Sequence, residues 1–305
     1  MTAPLLVGFD VGGSKIALRA VDPTSSRTVL NHISATERWR GEEYGTKARL
    51  LVDMLLSQGI KDMGSLAVGA HGCDTQEQCR FLEGALKTLL PIPVRVVNDA
   101  QLLSYAAGKP DAIGVISGTG SIAVGTTAAD DAVFAGGHGW MVGDDGGATG
   151  LVREAVRAAL IAADAGRTDH TLERALTQAA GVSRITDLSS LMMTQRPEQW
   201  ARLAPVIFSA DAAGSPLARA VIQAAAASLA ALTVSVIRKG ALAEDVVLGG
   251  SVITSQPVYA AEVRSHLLRE LPGVRIHLLQ NAPVDGAIAI AGDLVPSAPA
   301  PLYHS

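Results

Sequence analysis

The chain has 305 residues, a formal charge of −4 and 48% hydrophobic residues, with a mean hydropathy of +0.28 and a pI near 6.0. That size suits two domains, each able to bury its own core, and the mixed, mildly acidic charge with no like-signed run argues against nucleic acid or an anionic membrane as partner. Two cysteines give no disulfide framework, and the first apolar run is short and meets Asp10 almost at once, so a cytoplasmic enzyme is the default expectation.

Residues 5–10 read as a central strand, 11–15 as a turn and 16–21 as the return strand. Asp10 closes the first strand beside Gly12, Gly13, Ser14 and Lys15. Glycine lets successive amides point into one concavity and come close to an anion, so this turn is a candidate phosphate cradle, with Asp10 placed to hold a hydrated Mg²⁺. The plainer readings are a hairpin whose glycines supply positive φ, an Asp10 that accepts from the turn amides, and a solvated Lys15.

A third strand is expected over 28–34, a helix over 44–58, a strand over 65–70 ending at His71 and Gly72, and a helix over 75–90. Cys73 and Cys79 read as plain thiols. A strand over 93–97 ends at Asn98 and Asp99, just before a helical run over 100–107. Asp99 has a ready role there as an N-cap, but ligands in open α/β sheets gather outside the carboxyl ends of strands, which puts Asp10, His71, Gly72, Asn98 and Asp99 on one rim.

After a break at Lys109, Pro110 and Asp111, the strand–turn–strand design returns at 114–125 with Gly118, Thr119, Gly120 and Ser121 in the turn. Both copies leave the turn through Ile-Ala (Ile16-Ala17 and Ile122-Ala123), so two related domains are expected to offer one cradle each to a shared cleft. Residues 136–147 hold too much glycine for a buried element and read as a loop, with His138, Trp140, Asp144 and Asp145 leading into a helix over 148–163. The acids also suit that helix's N-terminus, and His138 and Trp140 suit ordinary loop bonding and packing. Residues 151–245 are mainly helical, and the apolar stretch 216–237 reads as a buried helix and not a membrane span. A strand over 246–248 enters Gly249, Gly250 and Ser251, where the glycine pair admits either a flat base or a closely packed helix. A helix over 258–271, a strand over 275–279, an Ala/Ile helix from Pro283 and a Pro-rich tail over 295–305 complete the chain.

Taken in order, Asp10-Val11-Gly12-Gly13-Ser14, Asn98-Asp99, Ser117 to Ser121, Gly136 to Gly147 and Leu248 to Ser251 resemble the N-acetylglucosamine and glucosamine kinase group of BadF/BadG-type ATPases. That group lies within the superfamily of sugar kinases, heat-shock chaperones and actin. The resemblance implies an α/β fold of two ribonuclease-H-like, actin-like ATPase domains, 1–108 and 109–294, the second with a helical insertion, closing across an interdomain cleft, with the final helix packing back on the first domain. It implies ATP and Mg²⁺ as cofactors, an amino sugar as partner and a homodimer. Asp99 would be the catalytic base taking the proton of the C6 hydroxyl. Asp10, Gly12, Gly13, Ser14, Lys15, Gly118, Thr119, Gly120, Gly249, Gly250 and Ser251 would bind the nucleotide. Glu37, His71, Gly72, Asn98, Ser121, Gly137, His138, Gly139 and Asp144 would line the sugar.

The chain departs from the group's pattern where His138 stands for Trp, Asp145 for Glu, Gly147 for Ser and Glu37 for Asn. A carboxylate at Glu37 suits a free 2-ammonium, which keeps glucosamine as an alternative substrate. A rival of another class is an iron–sulfur ATPase activator of a CoA-linked dehydratase or reductase, in which Cys73 and Cys79 of two chains share a cluster. A sugar-sensing repressor would need a helix-turn-helix ahead of the first strand, for which the sequence leaves no room.

Overall fold

The computed structural model describes residues 3–36, 39, 41–242 and 244–295. Glu37, an expected sugar contact, lies outside the described residues. The chain divides into two compact units: residues up to Gly108 together with those from Asn281 onward, and Lys109–Gln280.

The first unit begins with β1 (Leu5–Val11), β2 (Lys15–Asp22), β3 (Arg27–Ala35), α1 (Tyr44–Ser57), β4 (Met63–Ala70), α2 (Gln76–Leu89), β5 (Val94–Val97) and α3 (Gln101–Ala106). Its sheet runs β3-β2-β1-β4-β5, antiparallel from β3 to β1 and parallel from β1 to β5. Strand β4 is buried from Ser65 to Ala70, as expected of a parallel strand covered on both faces. One face packs Val7, Phe9, Leu66 and Val68 under Leu51 and Leu55 of α1 and Leu82 and Leu86 of α2. Both helices carry their apolar residues at three- and four-residue spacing, so one stripe of each meets the sheet. Thr75 caps α2 by accepting from Gln78 N at 3.2 Å.

The second unit holds β6 (Ile113–Ser117), β7 (Ser121–Thr126), β8 (Ala132–Gly136), α4 (Ala148–Asp164), α5 (His170–Ala180), α6 (Ile185–Thr194), α7 (Pro197–Trp200), α8 (Ala204–Ala212), α9 (Pro216–Arg238), β9 (Asp245–Gly249), α10 (Ser251–Ser255), α11 (Pro257–Glu270) and β10 (Arg275–Leu278). Its sheet runs β10-β9-β6-β7-β8, the same meander plus parallel pair as the first, so both units are ribonuclease-H-like. Helix α9 is long and apolar enough to cross a membrane by length and composition. Its Ile222, Ala226 and Leu229 are nevertheless completely buried in the unit's core, where it packs on β7, α4 and α11. Asp169 joins the inserted helices to α9: one oxygen caps α5 at Leu172 N (3.0 Å) and the other accepts from Ser215 Oγ (2.6 Å), which itself caps α9.

The last helix, α12 (Pro283–Asp293), returns to the first unit, so the second unit ends at Gln280 and not at the expected 294. It covers the free face of β1 and β4, where Ala287, Ile290 and Ala291 join Ala67, Val97 and Leu102. Small residues make this approach possible. A Cβ on Gly286 would fall 2.1 Å from the Leu102 carbonyl oxygen, and one on Gly8 would fall 2.9 Å from Ala287 Cβ. Ser65 Oγ donates to Ala291 O at 2.6 Å, and Arg19 pairs with Asp285.

Candidate functional site

In the first unit the parallel strands β1, β4 and β5 end on one edge, and their ends carry Asp10, His71 with Gly72, and Asn98 with Asp99. The expected rim therefore exists. The register pairs Asp10 with Gly69 and Val11 with Ala70, and His71 N donates to Val11 O at 2.7 Å, so β4 leaves the sheet against the start of the glycine turn. Gly72 turns the chain with φ +77°.

The first turn is tight: Gly12 N donates to Lys15 O at 2.9 Å, leaving Gly13 and Ser14 at its tip. Thr36 fastens it from the end of β3, its Oγ1 donating to Gly12 O at 3.1 Å. Gly12 does not have left-handed backbone, and a Cβ there would approach only Lys15 O, at 3.5 Å. Positive φ is thus not the reason for glycine at this position, and an amide bare of side chain is what the residue provides. Ser14 and Lys15 are exposed beside it.

Electrostatics single out the two carboxylates. Asp10 is only 7% exposed, and burial pushes its pKa up to about 6 against the opposing pull of Lys15. Asp99 is equally buried, and desolvation, reinforced by the negative charges of Asp10 and Asp74, raises its pKa well above the usual carboxylate range. Helix α3 starts at Gln101 with Ala100 in the cap position. The amide of Ala100 donates to Asn98 Oδ1 at 2.9 Å and also acts on the Asp99 carboxyl, so Asn98 shares the capping role with Asp99.

Asn98 is a strut. It is completely buried, and its Nδ2 donates to Cys73 O and to Asp74 Oδ1, each at 3.1 Å, while Gln101 Oε1 accepts from its backbone N at 3.2 Å. Both amide hydrogens are occupied within the protein, which fixes the Asp99 backbone without leaving a donor for a ligand. Behind this rim Trp39, 1% exposed, donates from Nε1 to His71 O at 2.9 Å, and the buried Lys47 ammonium lies 5.3 Å from the Trp39 and Tyr44 ring centres. The sequence reading passed over both residues. An aromatic pair three and eight residues before a buried lysine leaves no signature until the loop folds.

In the second unit the turn after β6 is held by backbone. Gly118 N donates to Gly120 O at 3.0 Å, while Gly118 O and Thr119 O accept from Ala148 N (2.8 Å) and Thr149 N (3.1 Å) at the start of α4. Glycine is required here for close approach. A Cβ on Gly147 would fall 2.5 Å from the Gly120 carbonyl carbon, and one on Gly250, whose φ is +99°, would fall 2.5 Å from Ser117 O. The Gly249-Gly250 pair thus lets β9 turn into α10 across the end of β6, with exposed Ser251 opening that helix.

The loop between β8 and α4 runs through Gly136, Gly137 and Gly139, all at positive φ, and Asp144 at φ +60°. Asp144 reaches inward: its Oδ1 accepts from Ser121 N at 3.0 Å, so it ties the loop to the second turn. Ser117 Oγ and the Tyr259 hydroxyl both donate to Gly146 O, at 2.6 and 2.9 Å, and Gly146 N donates to Ser121 Oγ at 3.3 Å. His138 and Gly139 are exposed, whereas Trp140 packs edge-on against Trp200 at 5.7 Å. Arg153 of α4 holds the loop from below, donating to Trp140 O, to Gly143 O at 2.8 Å and to Asp145. Arg153 was missed by sequence reasoning. A single arginine on an amphipathic helix looks like a solvated face, and only the fold brings three loop acceptors to it.

A hydrated Mg²⁺ is held by one or two carboxylates together with phosphate oxygens. Asp10 fits that part, being buried and more basic than a free carboxylate, while no group of three or more His, Cys, Asp or Glu among the described residues has the spacing of an all-protein metal site.

The sequence is 25% identical over 299 residues to an N-acetylmuramic acid/N-acetylglucosamine kinase of Clostridium acetobutylicum, covering 94% of this chain and 97% of that one. It is 24% identical over 315 residues to an N-acetyl-D-glucosamine kinase of Dictyostelium discoideum, with 95% and 98% covered. In structure it resembles an N-acetylglucosamine kinase candidate from Chromobacterium violaceum with a TM-score of 0.70 at 21% identity, covering 95% of this chain and 100% of that one. The sequence profile of the BadF/BadG/BcrA/BcrD ATPase family matches residues 7–291, which includes both glycine turns, the Asn98-Asp99 rim and most of the returning α12. The chain belongs to the BadF/BadG/BcrA/BcrD ATPase family.

Proposed function

We propose that the protein is an ATP-dependent amino-sugar kinase that phosphorylates the C6 hydroxyl of N-acetylglucosamine, with Asp99 as the base. The observation that carries the reading is the pairing of a buried, unusually basic carboxyl at the end of β5 with a second at the end of β1 beside an amide-bearing turn. A sugar hydroxyl is too weak an acid to ionise unaided, so it needs a fixed acceptor whose basicity exceeds that of an ordinary carboxylate. Asn98 holds Asp99 in place through its bonds to Cys73 O, Asp74 and Ala100. ATP is the nucleotide of the family, and Mg²⁺ bound with it would supply charge neutralisation on the transferring phosphoryl group. Asp10 is the residue that would hold that ion, and the turn at 12–15 beside it would offer amides to phosphates.

The amino-sugar specificity is supported by the activities named for the Clostridium and Dictyostelium relatives, each aligned over nearly the whole chain. The iron–sulfur alternative finds no support in the thiols: Cys73 has no exposed surface and Cys79 is 6% exposed, which leaves neither at hand for a cluster shared between chains. The test is ATP consumption with N-acetylglucosamine, N-acetylmuramic acid, glucosamine and glucose, wild type against Asp99→Asn. N-acetylglucosamine should give the highest kcat/KM, and the variant should lose kcat while still binding sugar. Undiminished turnover by the variant overturns the base assignment.

A further inference from the structure

Two nucleophilic side chains next to the rim have no part in this chemistry. Cys73 follows the His71-Gly72 turn, and Cys79 lies in the first turn of α2. Cys79 Sγ donates to Cys73 O at 3.6 Å and Cys73 Sγ to Gln78 O at 3.9 Å, so each sulfur lies against the backbone of the other's stretch of chain. The same Cys73 carbonyl is one of the acceptors that hold Asn98, and the next residue, Asp74, is the other. The thiol pair therefore lies beside the support of Asp99, whose bonds come from the Cys73 carbonyl and Asp74 and from neither sulfur.

We propose that Cys73 and Cys79 are a reversible oxidation site, forming an intramolecular disulfide with peroxide and thereby shifting the 73–74 acceptors that hold the Asn98-Asp99 rim. The chemistry balances with peroxide as the two-electron oxidant. The Cys73 thiolate attacks the O–O bond and expels hydroxide, giving a sulfenic acid. The Cys79 sulfur then attacks the Cys73 sulfur, and the sulfenic oxygen leaves as water with the Cys79 proton. In sum, two thiols and one peroxide give one disulfide and two waters. The roles follow from the surroundings: the bond from Cys79, aided by the Lys47 charge, lowers the Cys73 pKa, while the same bond and burial raise that of Cys79. Burial of both sulfurs selects a small neutral oxidant over a bulky disulfide. Both sulfurs now bond to backbone carbonyls, so closing a sulfur–sulfur bond of about 2 Å must break those contacts and draw the 73–79 segment inward.

The bond itself is independent of the kinase reading; only the size of its effect on turnover rests on that reading. The full-length protein, reduced and freed of reductant, is treated with hydrogen peroxide, denatured and alkylated. Both cysteines fall in one tryptic peptide, Asp62 to Arg80. That peptide should escape alkylation and lose the mass of two hydrogens, and dithiothreitol should restore both labels. Sugar-dependent ATP consumption should fall about tenfold or more and recover with the reductant, since displacement near a catalytic group by an ångström carries penalties of that order. Cys79→Ser should start with wild-type activity and resist peroxide. Full alkylation of both thiols after peroxide, or stable oxygen uptake on one with the other still free, overturns the disulfide. Equal peroxide inactivation of Cys79→Ser overturns its coupling to the rim. A disulfide formed in a protein that consumes ATP with no sugar supports the redox site and tells against the kinase.

Discussion

The strand order β3-β2-β1-β4-β5 of the first unit is repeated as β8-β7-β6-β9-β10 in the second, yet equivalent strand ends carry opposite chemistry. Asp10 stands opposite Ala17 in the first hairpin, whereas the residue opposite Ala123 in the second is Val115, buried and uncharged. Strand β5 ends at Asn98 and Asp99, whereas β10 ends at Leu278 and leads into Leu279 and Gln280. One copy of the fold concentrates buried negative charge. The other offers backbone amides with a glycine at each close approach. A duplicated scaffold has been divided between buried carboxyls in one half and close backbone packing in the other.

If that division holds, the largest single loss of activity comes from the charged half. Asp99→Asn should lower kcat by 10² to 10⁴, roughly what a positioned general base contributes, and KM for the sugar should move far less. Steady-state kinetics with N-acetylglucosamine reads both. A comparable loss on replacing the exposed Ser251 of the second unit would break the comparison, because neither half would then be special.

In the second half the corresponding blow should fall on folding. Gly250→Ala and Gly147→Ala each force a Cβ to 2.5 Å from backbone atoms of the 117–120 turn. Backbone cannot yield as a side-chain tip does, so a destabilisation of about 3 kcal/mol or more is expected from overpacking together with, at Gly250, a strained φ. Urea melts of each variant check it. Gly12→Ala is the control: its Cβ meets nothing closer than 3.5 Å, so stability should hold while nucleotide affinity falls.

The two carboxyls of the first half should weaken the fold they serve. Asp10 has its pKa raised to about 6, so the folded state holds a proton that the unfolded chain releases near its ordinary value of 3.8. A raised acid pKa means that stability is greatest below the unfolded value and is lost as pH climbs towards the folded one. Asp10→Asn should remove this loss and stabilise the ligand-free protein at pH 7 by up to about 3 kcal/mol, while impairing turnover. Thermal melts from pH 4 to 8 should show wild type losing stability across pH 4–6 relative to the variant. Parallel curves would mean that Asp10 is not desolvated as the fold implies.

Much of this asymmetry was legible beforehand, and its limits have physical causes. The repeated Ile-Ala exit, the acid closing β1 and the Asn-Asp closing β5 are local patterns, and a rim at parallel strand ends follows from topology. Strand β8 escaped notice because five residues at a sheet edge, only Ala135 of them buried, carry little periodicity. Sequence suggests positive φ, anion approach or close packing for its glycines without saying which, and Gly147 and Gly286 are glycine because distant backbone presses on them. Asn98 and Asp144 were matched to the sugar by resemblance, yet the fold occupies them with Cys73 O, Asp74 and Ser121 N. Both thus hold other groups in place, a duty that a motif does not display.

The smallest effect tests the neutral half at its most redundant point. The Gly146 carbonyl, in a fully buried part of the loop, accepts from both Ser117 Oγ at 2.6 Å and the Tyr259 hydroxyl at 2.9 Å. Removing either donor leaves the carbonyl satisfied by the other, so Ser117→Ala or Tyr259→Phe should each cost about 1 kcal/mol. The double variant strands a buried acceptor and should cost about 1–3 kcal/mol beyond the sum of the singles. A double-mutant cycle on denaturant melts measures that excess. Strict additivity would mean that the carbonyl finds water when both donors are gone, and the loop anchoring the second turn would then be open to solvent where the fold has it closed.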